Sequence, residues 1–240
     1  MKRKILISLS VISICIGIIL SILLYRFLQQ QKEITKITTL LESRRKMINK
    51  QLTPYSIKKF KVTKIKGLAP YVIDETTIYI PFNLLQSKYK KFLTAIFTNN
   101  ITKNLPFFYY DYLTMHEMYH LLQNSYKLHE QSWDSEMYAN KFAILFIKQS
   151  GKLRQFKKIV KMINRHLQQF LTSEEKEISQ RTIKEQEKFV NKNYQKLLSV
   201  DPPLLYFQFQ INMAMDILRK NENYTFKKIL TENLQLLNES

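Results

Sequence analysis

The five residues His116-Glu117-Met118-Tyr119-His120 combine residue types and a spacing that can do chemistry. On a helix, side chains at i and i+4 lie one above the other on the same face. His116 and His120 then present two imidazole nitrogens to one metal ion. Glu117 lies at the edge of that face, close enough to act on a water at the metal. The chain has 4 His in 240 residues. At that frequency about 0.004 chance matches to His-Glu-x-x-His are expected, so composition does not account for the stretch. With the His pair at the centre of one face, Met115, Met118 and Leu122 fall on the opposite face as a candidate core stripe. The plainer alternative is a solvated helix with two incidental histidines.

A catalytic zinc site needs a third protein ligand and an open fourth position. The segment Ser135 to Ile147 is apolar nearly all round, which marks a buried helix. Glu136 and Asn140 stand one turn apart on it. A carboxylate buried there is costly unless it is paired or metal-bound, which makes Glu136 the candidate third ligand. Asn140 can accept a hydrogen bond from the second nitrogen of a ligand histidine and hold its ring. Ala139 and Ala143 are small enough to let two helices approach closely. The alternative is that Glu136 is an exposed first-turn acid favoured by the helix dipole. His129 is the runner-up third ligand, with Asp134 behind it. His129, Tyr126 and Tyr138 are the candidate donors to an oxyanion.

His116-Glu117-x-x-His120 followed by Glu136-x-x-Ala139-Asn140-x-Phe142-Ala143 resembles a gluzincin-type zinc metallopeptidase. The Glu-x-x-Ala-Asn-x-Phe-Ala part is most similar to the ImmA/IrrE-like peptidases. The resemblance covers about residues 71 to 150. It implies a zincin core, with His116, His120 and Glu136 as Zn2+ ligands, Glu117 as general base, and Asn140 where gluzincins often carry Asp. It also implies peptide-bond hydrolysis of a protein or peptide substrate.

Around that core the chain must supply positioning elements. Met1-Lys2-Arg3-Lys4 is basic, and Ile5 to Tyr25 follows without a charge. About 20 such residues suffice to cross a bilayer, and no small-residue cleavage site follows, so an uncleaved transmembrane anchor is expected over residues 1–27. Lys2, Arg3 and Lys4 favour a cytoplasmic N-terminus, which places the catalytic part outside the cytoplasm. The single Cys excludes an intramolecular disulfide. Residues 28–66 are polar and basic and read as a juxtamembrane stalk whose helix ends at Pro54. Its charge suits anionic lipid or wall polymer; a solvated stalk is the alternative. Gly67 and Pro70 mark a boundary. Tyr71 to Ile80 is the best strand candidate, with Asp74-Glu75-Thr76 able to break it into a hairpin. The resemblance implies that this strand pairs with substrate backbone.

Residues 151–240 read as helical. Phe156, Ile159, Val160, Ile163 and Leu167 have helical spacing, and Thr172-Ser173-Glu174-Glu175 fits a capping box. Asp201-Pro202-Pro203 fits a cap for a last helix with Leu204, Leu205, Phe207, Ile211, Met215 and Leu218. The expected fold class is α+β and mainly helical. A transmembrane helix precedes a minimal zincin core (67–150) of small sheet and active-site helices, with a helical C-terminal part. The net charge of +19 permits a basic tether for nucleic acid or another anionic polymer. No nucleic-acid module signature is present, so no specific nucleic-acid binding is expected. A catalytically inactive zincin-fold scaffold is the third reading.

Overall fold

The computed structural model describes residues 2–65, 69–81, 88–97, 101–128, 133–200 and 203–239. Ten α-helices and three strands are present among them. The chain divides into two compact units, residues 1–41 and residues 42–240. Helix α1 (Lys2–Leu52) supplies the described residues of the first, and its residues from Glu42 on belong to the second.

The expected transmembrane anchor is corrected. Among the described residues no helix is long and apolar enough to cross a membrane. The helix that carries residues 5–25 does not end with the apolar run at Phe27. It continues as one 51-residue helix through Arg26, Lys32, Glu33 and Lys36 to Leu52. The side chains of residues 2–20, 22, 23 and 26 lie outside those described.

Within the second unit, the end of the expected stalk is folded structure. Ile48, Leu52, Ile57 and Phe60 are buried, and Lys61–Ile65 forms strand β1. Its lysines hide it from a reading based on polarity, but Val62, Lys64 and Ile65 are all half-buried. β2 (Tyr71–Val72) and β3 (Thr77–Pro81) form the expected hairpin. Asp74 makes the turn by accepting from the Thr76 amide at 2.6 Å and its hydroxyl at 2.8 Å. The sheet order is β1-β3-β2. β1 runs parallel and β2 antiparallel to β3, with Val62 opposite Ile78 and Val72 opposite Ile78 on the other side. β2 is thus an edge strand.

After α2 (Lys90–Phe97), α3 (Ile101–Pro106) runs into a π-helical segment, Phe107–Leu113, and then into α4 (Thr114–Ser125). Pro106 has no amide hydrogen to donate back along the helix. The wide turn that follows leaves the Tyr110 carbonyl to side chains. It accepts from the Thr114 hydroxyl at 2.6 Å and from the Arg44 guanidinium. Arg44 also pairs with Asp111, the two side chains being 10% and 11% exposed, and lies 5.0 Å from the centre of the Phe146 ring. Lys152 holds the other Asp111 oxygen at 3.1 Å.

α5 (Trp133–Gln149) packs on α4. Met115, Met118 and Leu122 are buried on one side, and Ala139, Phe142 and Ala143 are fully buried in α5. α6 (Leu153–Leu167) buries Phe156, Ile159, Val160, Ile163 and Leu167, as their spacing predicts. α7 (Ser173–Gln180) opens with the Thr172/Glu175 capping box, and α8 (Ile183–Ser199) has a second one at Thr182/Glu185. α9 (Leu204–Lys220) is turned relative to the expected stripe. Leu205 and Ile211 of that stripe are buried and Leu204, Phe207 and Leu218 half-buried, but Met215 is exposed, and Phe209, Met213 and Ile217 are buried beside Gln208 and Gln210. Asp201 and Pro202 lie outside the described residues, so the expected cap is not seen. α10 (Phe226–Glu239) closes on α5, with Phe226 against Phe142 at 4.7 Å between ring centres.

Arg44→Met leaves part of the Asp111 charge without its planar partner and frees the Tyr110 carbonyl. The expected loss is about 2–3 kcal/mol, at the low end for a broken buried pair because Lys152 remains. Adding Asp111→Asn should recover part of it. Urea unfolding of the single and double variants measures both.

Candidate metal centre

The π-helical segment and α4 are one continuous helix, so the phase of the wide turn sets where the α4 histidines point. His116 and His120 project toward α5 and meet Glu136 on its first turn. The His116 Nε2 lies 3.0 Å from Glu136 Oε2, the His120 Nε2 lies 3.8 Å from the same oxygen, and the two Nε2 atoms are 3.1 Å apart. Three donor atoms thus form a small triangle. A tetrahedral cation with bonds of about 2.0 Å has donor-to-donor edges of about 3.3 Å, and the mean edge here is (3.0 + 3.1 + 3.8)/3, about 3.3 Å. The set fits, and these three residues can hold a metal ion.

Both rings are fixed from behind. The His116 Nδ1 faces Asn140 Oδ1 at 3.3 Å, and the His120 Nδ1 faces Gln123 Oε1 at 2.6 Å. Each amide oxygen can only accept, so each Nδ1 donates its proton there, which leaves Nε2 as the atom of each ring available to a metal. Asn140, wholly buried, also accepts from the Tyr112 hydroxyl and donates to Gln210 Oε1 at 2.7 Å. Gln210 in turn donates to Glu136 Oε2 at 2.7 Å, and the Tyr194 hydroxyl donates to Glu136 Oε1 at 2.9 Å. Trp133 donates its amide to Asn191 at 2.8 Å and packs with Val190, Leu205, Phe209 and Met213. That cluster seats α8 and α9 against the start of α5, and so brings in Tyr194 and Gln210.

The charges follow from burial and neighbours. Burial works to raise the Glu136 carboxyl, but the imidazoles of His120 and His116 hold it well below the usual range. Burial lowers His116. Burial also acts to lower His120, yet Glu136 and Glu117 outweigh it and lift it to about 9. Burial pushes Glu117 up to about 8, against the pull of His120 and with a further push from Glu136. A raised His120 thus faces a lowered Glu136, each favouring the charged form of the other.

Glu117, His116, His120 and Glu136 face one cavity of about 660 Å³. Tyr71, Val72 and Ile73 of the β2 edge line it, as do Tyr194 and Tyr206. Glu117 accepts a hydrogen bond from the Val72 amide, which ties the edge strand to the carboxylate. The structure does not bring the other expected donors here. Tyr126 accepts from the Ser56 amide at 2.9 Å and stands edge-on to Tyr55. Tyr138 lies under the Lys141 ammonium at 4.8 Å. Neither lines the cavity. Asp134 is exposed, and His129 lies outside the described residues. Sequence reasoning missed Gln123, Tyr194, Tyr206 and Gln210. Gln123 had a signal, being three residues after His120 on the same face; the others come from helices more than fifty residues away.

No family model matches this chain, and neither a curated protein nor a solved structure is similar to it.

Gln123→Leu removes the acceptor behind His120. It should weaken metal affinity about 10–100-fold in a folded protein, while Gln123→Glu should keep or raise it. Competition with a metal indicator measures both. Equal affinity in all three proteins would show that Gln123 does not orient the ring.

Proposed function

We propose that this chain is a zinc-dependent peptidase. The observation that carries the reading is the convergence of two Nε2 atoms and one carboxylate oxygen beside a cavity that Glu117 also faces. Two imidazoles and one carboxylate suit zinc, and His116, His120 and Glu136 are its holders. Zinc bound there supplies a Lewis acid that makes water nucleophilic at neutral pH and polarises a carbonyl.

The chain's own residues do the rest. Glu117 takes the proton from the attacking water and delivers it to the leaving amine nitrogen. Burial raises its carboxyl, which strengthens it as a base when ionised, and its conjugate acid gives the proton up in the second transfer. Val72 holds that carboxylate in place through its amide. Tyr194 and Tyr206 line the cavity beside Glu136, and a hydroxyl of this pair that turns from Glu136 to the developing oxyanion is the donor. They replace Tyr126 and Tyr138 in that role. An extended peptide along the β2 edge is the substrate this cavity suits. Tyr71 and Ile73 are exposed there, 40% and 70%, and offer it apolar contact.

Zinc content near one per chain is expected in the full-length protein. Glu117→Gln should keep that zinc and lose about 10²–10⁴-fold in hydrolysis of casein or a peptide library. His116→Ala should lose the zinc too. Hydrolysis by Glu117→Gln at the original rate would remove the general base from the account. Bound zinc with no hydrolysis by the natural chain would favour an inactive scaffold.

A further inference from the structure

Helix α6 carries its charge unlike the other C-terminal helices. Arg154, Lys157, Lys158, Lys161 and Arg165 are all exposed, and the helix has no acidic residue. At about 100° and 1.5 Å per residue, these five fall within about a quarter-turn of arc and form a row about 16 Å long. None has an ion-pair partner among the described residues. In α7 and α8, by contrast, acids alternate with bases: Glu175 and Glu177 flank Lys176, and Glu185 and Glu187 lie between Lys184 and Lys188. Folding gives no reason for the difference. Arg154 with Lys158, Lys157 with Lys161, and Lys161 with Arg165 are like-charge pairs one turn apart, which disfavour a helix. Arg154 also stands at the end where the helix dipole repels a cation.

The row is flanked by two recesses, both distinct from the metal cavity. Lys157 and Lys161 border one of about 760 Å³, to which Arg181, Arg219 and Lys220 add charge. Asp216 is the one carboxylate among its described lining residues, and Arg219 at 2.5 Å and Lys220 at 2.8 Å already hold it. Arg154 and Lys158 border the other, of about 600 Å³, with Lys103 and no acid among its described lining residues. No aromatic side chain is among the described residues that line either recess, so a base meets no ring there to stack on. A flat lipid surface cannot follow cations into recesses on both sides of a helix, whereas one thin chain can. We propose that α6 and its flanking recesses bind a single-stranded nucleic acid through its phosphates, without reading its bases.

The test is fluorescence anisotropy of labelled dT20 with the full chain, titrated between 50 and 200 mM salt. Five phosphate contacts give a log–log slope of about −3.5, and each contact is worth about fivefold at 0.1 M salt. Lys158→Glu with Lys161→Glu should therefore weaken binding about 20-fold or more. The matched pair Lys184→Glu with Lys188→Glu on α8 should change it less than about threefold, and dA20 should bind as dT20 does. All four positions are exposed, and reversal within the row relieves repulsion, so the α6 variant should melt no lower than the natural chain. Equal losses in the two variants would reduce the effect to net charge and overturn the proposal. So would no loss in the α6 variant, or displacement of dT20 by polyglutamate or by phosphatidylglycerol vesicles at equal charge.

Discussion

A carboxylate with almost no access to water is the constraint around which this fold is arranged. Glu136 is 3% exposed on a helix whose other faces are apolar, and leaving a charge there without compensation is costly. Every neighbour answers that cost. Two imidazoles approach one oxygen, Gln210 donates to it, and Tyr194 donates to the other. The N-terminal turn of α5 adds the positive end of its dipole. The same arrangement that neutralises the carboxylate makes a three-donor cup with one side open to a cavity. Stability and chemistry thus draw on one set of contacts.

The cup depends on the phase of one helix. Seven residues of π-helix precede α4, and such segments recur at functional sites because they re-aim the side chains that follow. The wide turn releases backbone acceptors, and Arg44 and Thr114 take up the Tyr110 carbonyl. Asp111, inside the π-segment, is held by Arg44 and Lys152. The end of α1 and the start of α6 therefore clamp the turn that orients His116 and His120. Tyr112, from the same segment, reaches Asn140 and so joins the network behind His116.

Much of the core of the site was legible because it is local. His116, Glu117 and His120 share one helix face, and Glu136 and Asn140 share the next, so periodicity alone pairs them. The hairpin at Asp74 and the capping box at Thr172 were legible for the same reason. What was not legible depends on tertiary contact. Gln210 and Tyr194 are polar side chains on amphipathic helices, where sequence favours a solvent-facing reading; only the packing of α8 and α9 on Trp133 turns them inward. β1 was hidden by Lys61 and Lys64, since an edge position lets long cationic side chains reach water from a paired strand. The apolar run at residues 5–25 invited a membrane reading because hydropathy is scored over a short window. It did not reveal that the helix continues unbroken to Leu52.

X-ray diffraction from crystals of the zinc-loaded full chain, collected on both sides of the zinc absorption edge, tests the central claim most directly. The account predicts one anomalous peak about 2.0–2.2 Å from His116 Nε2, His120 Nε2 and a Glu136 oxygen, with Gln123 and Asn140 still behind the two rings. A zinc peak elsewhere, or Glu136 turned away from both imidazoles with zinc present, would contradict it.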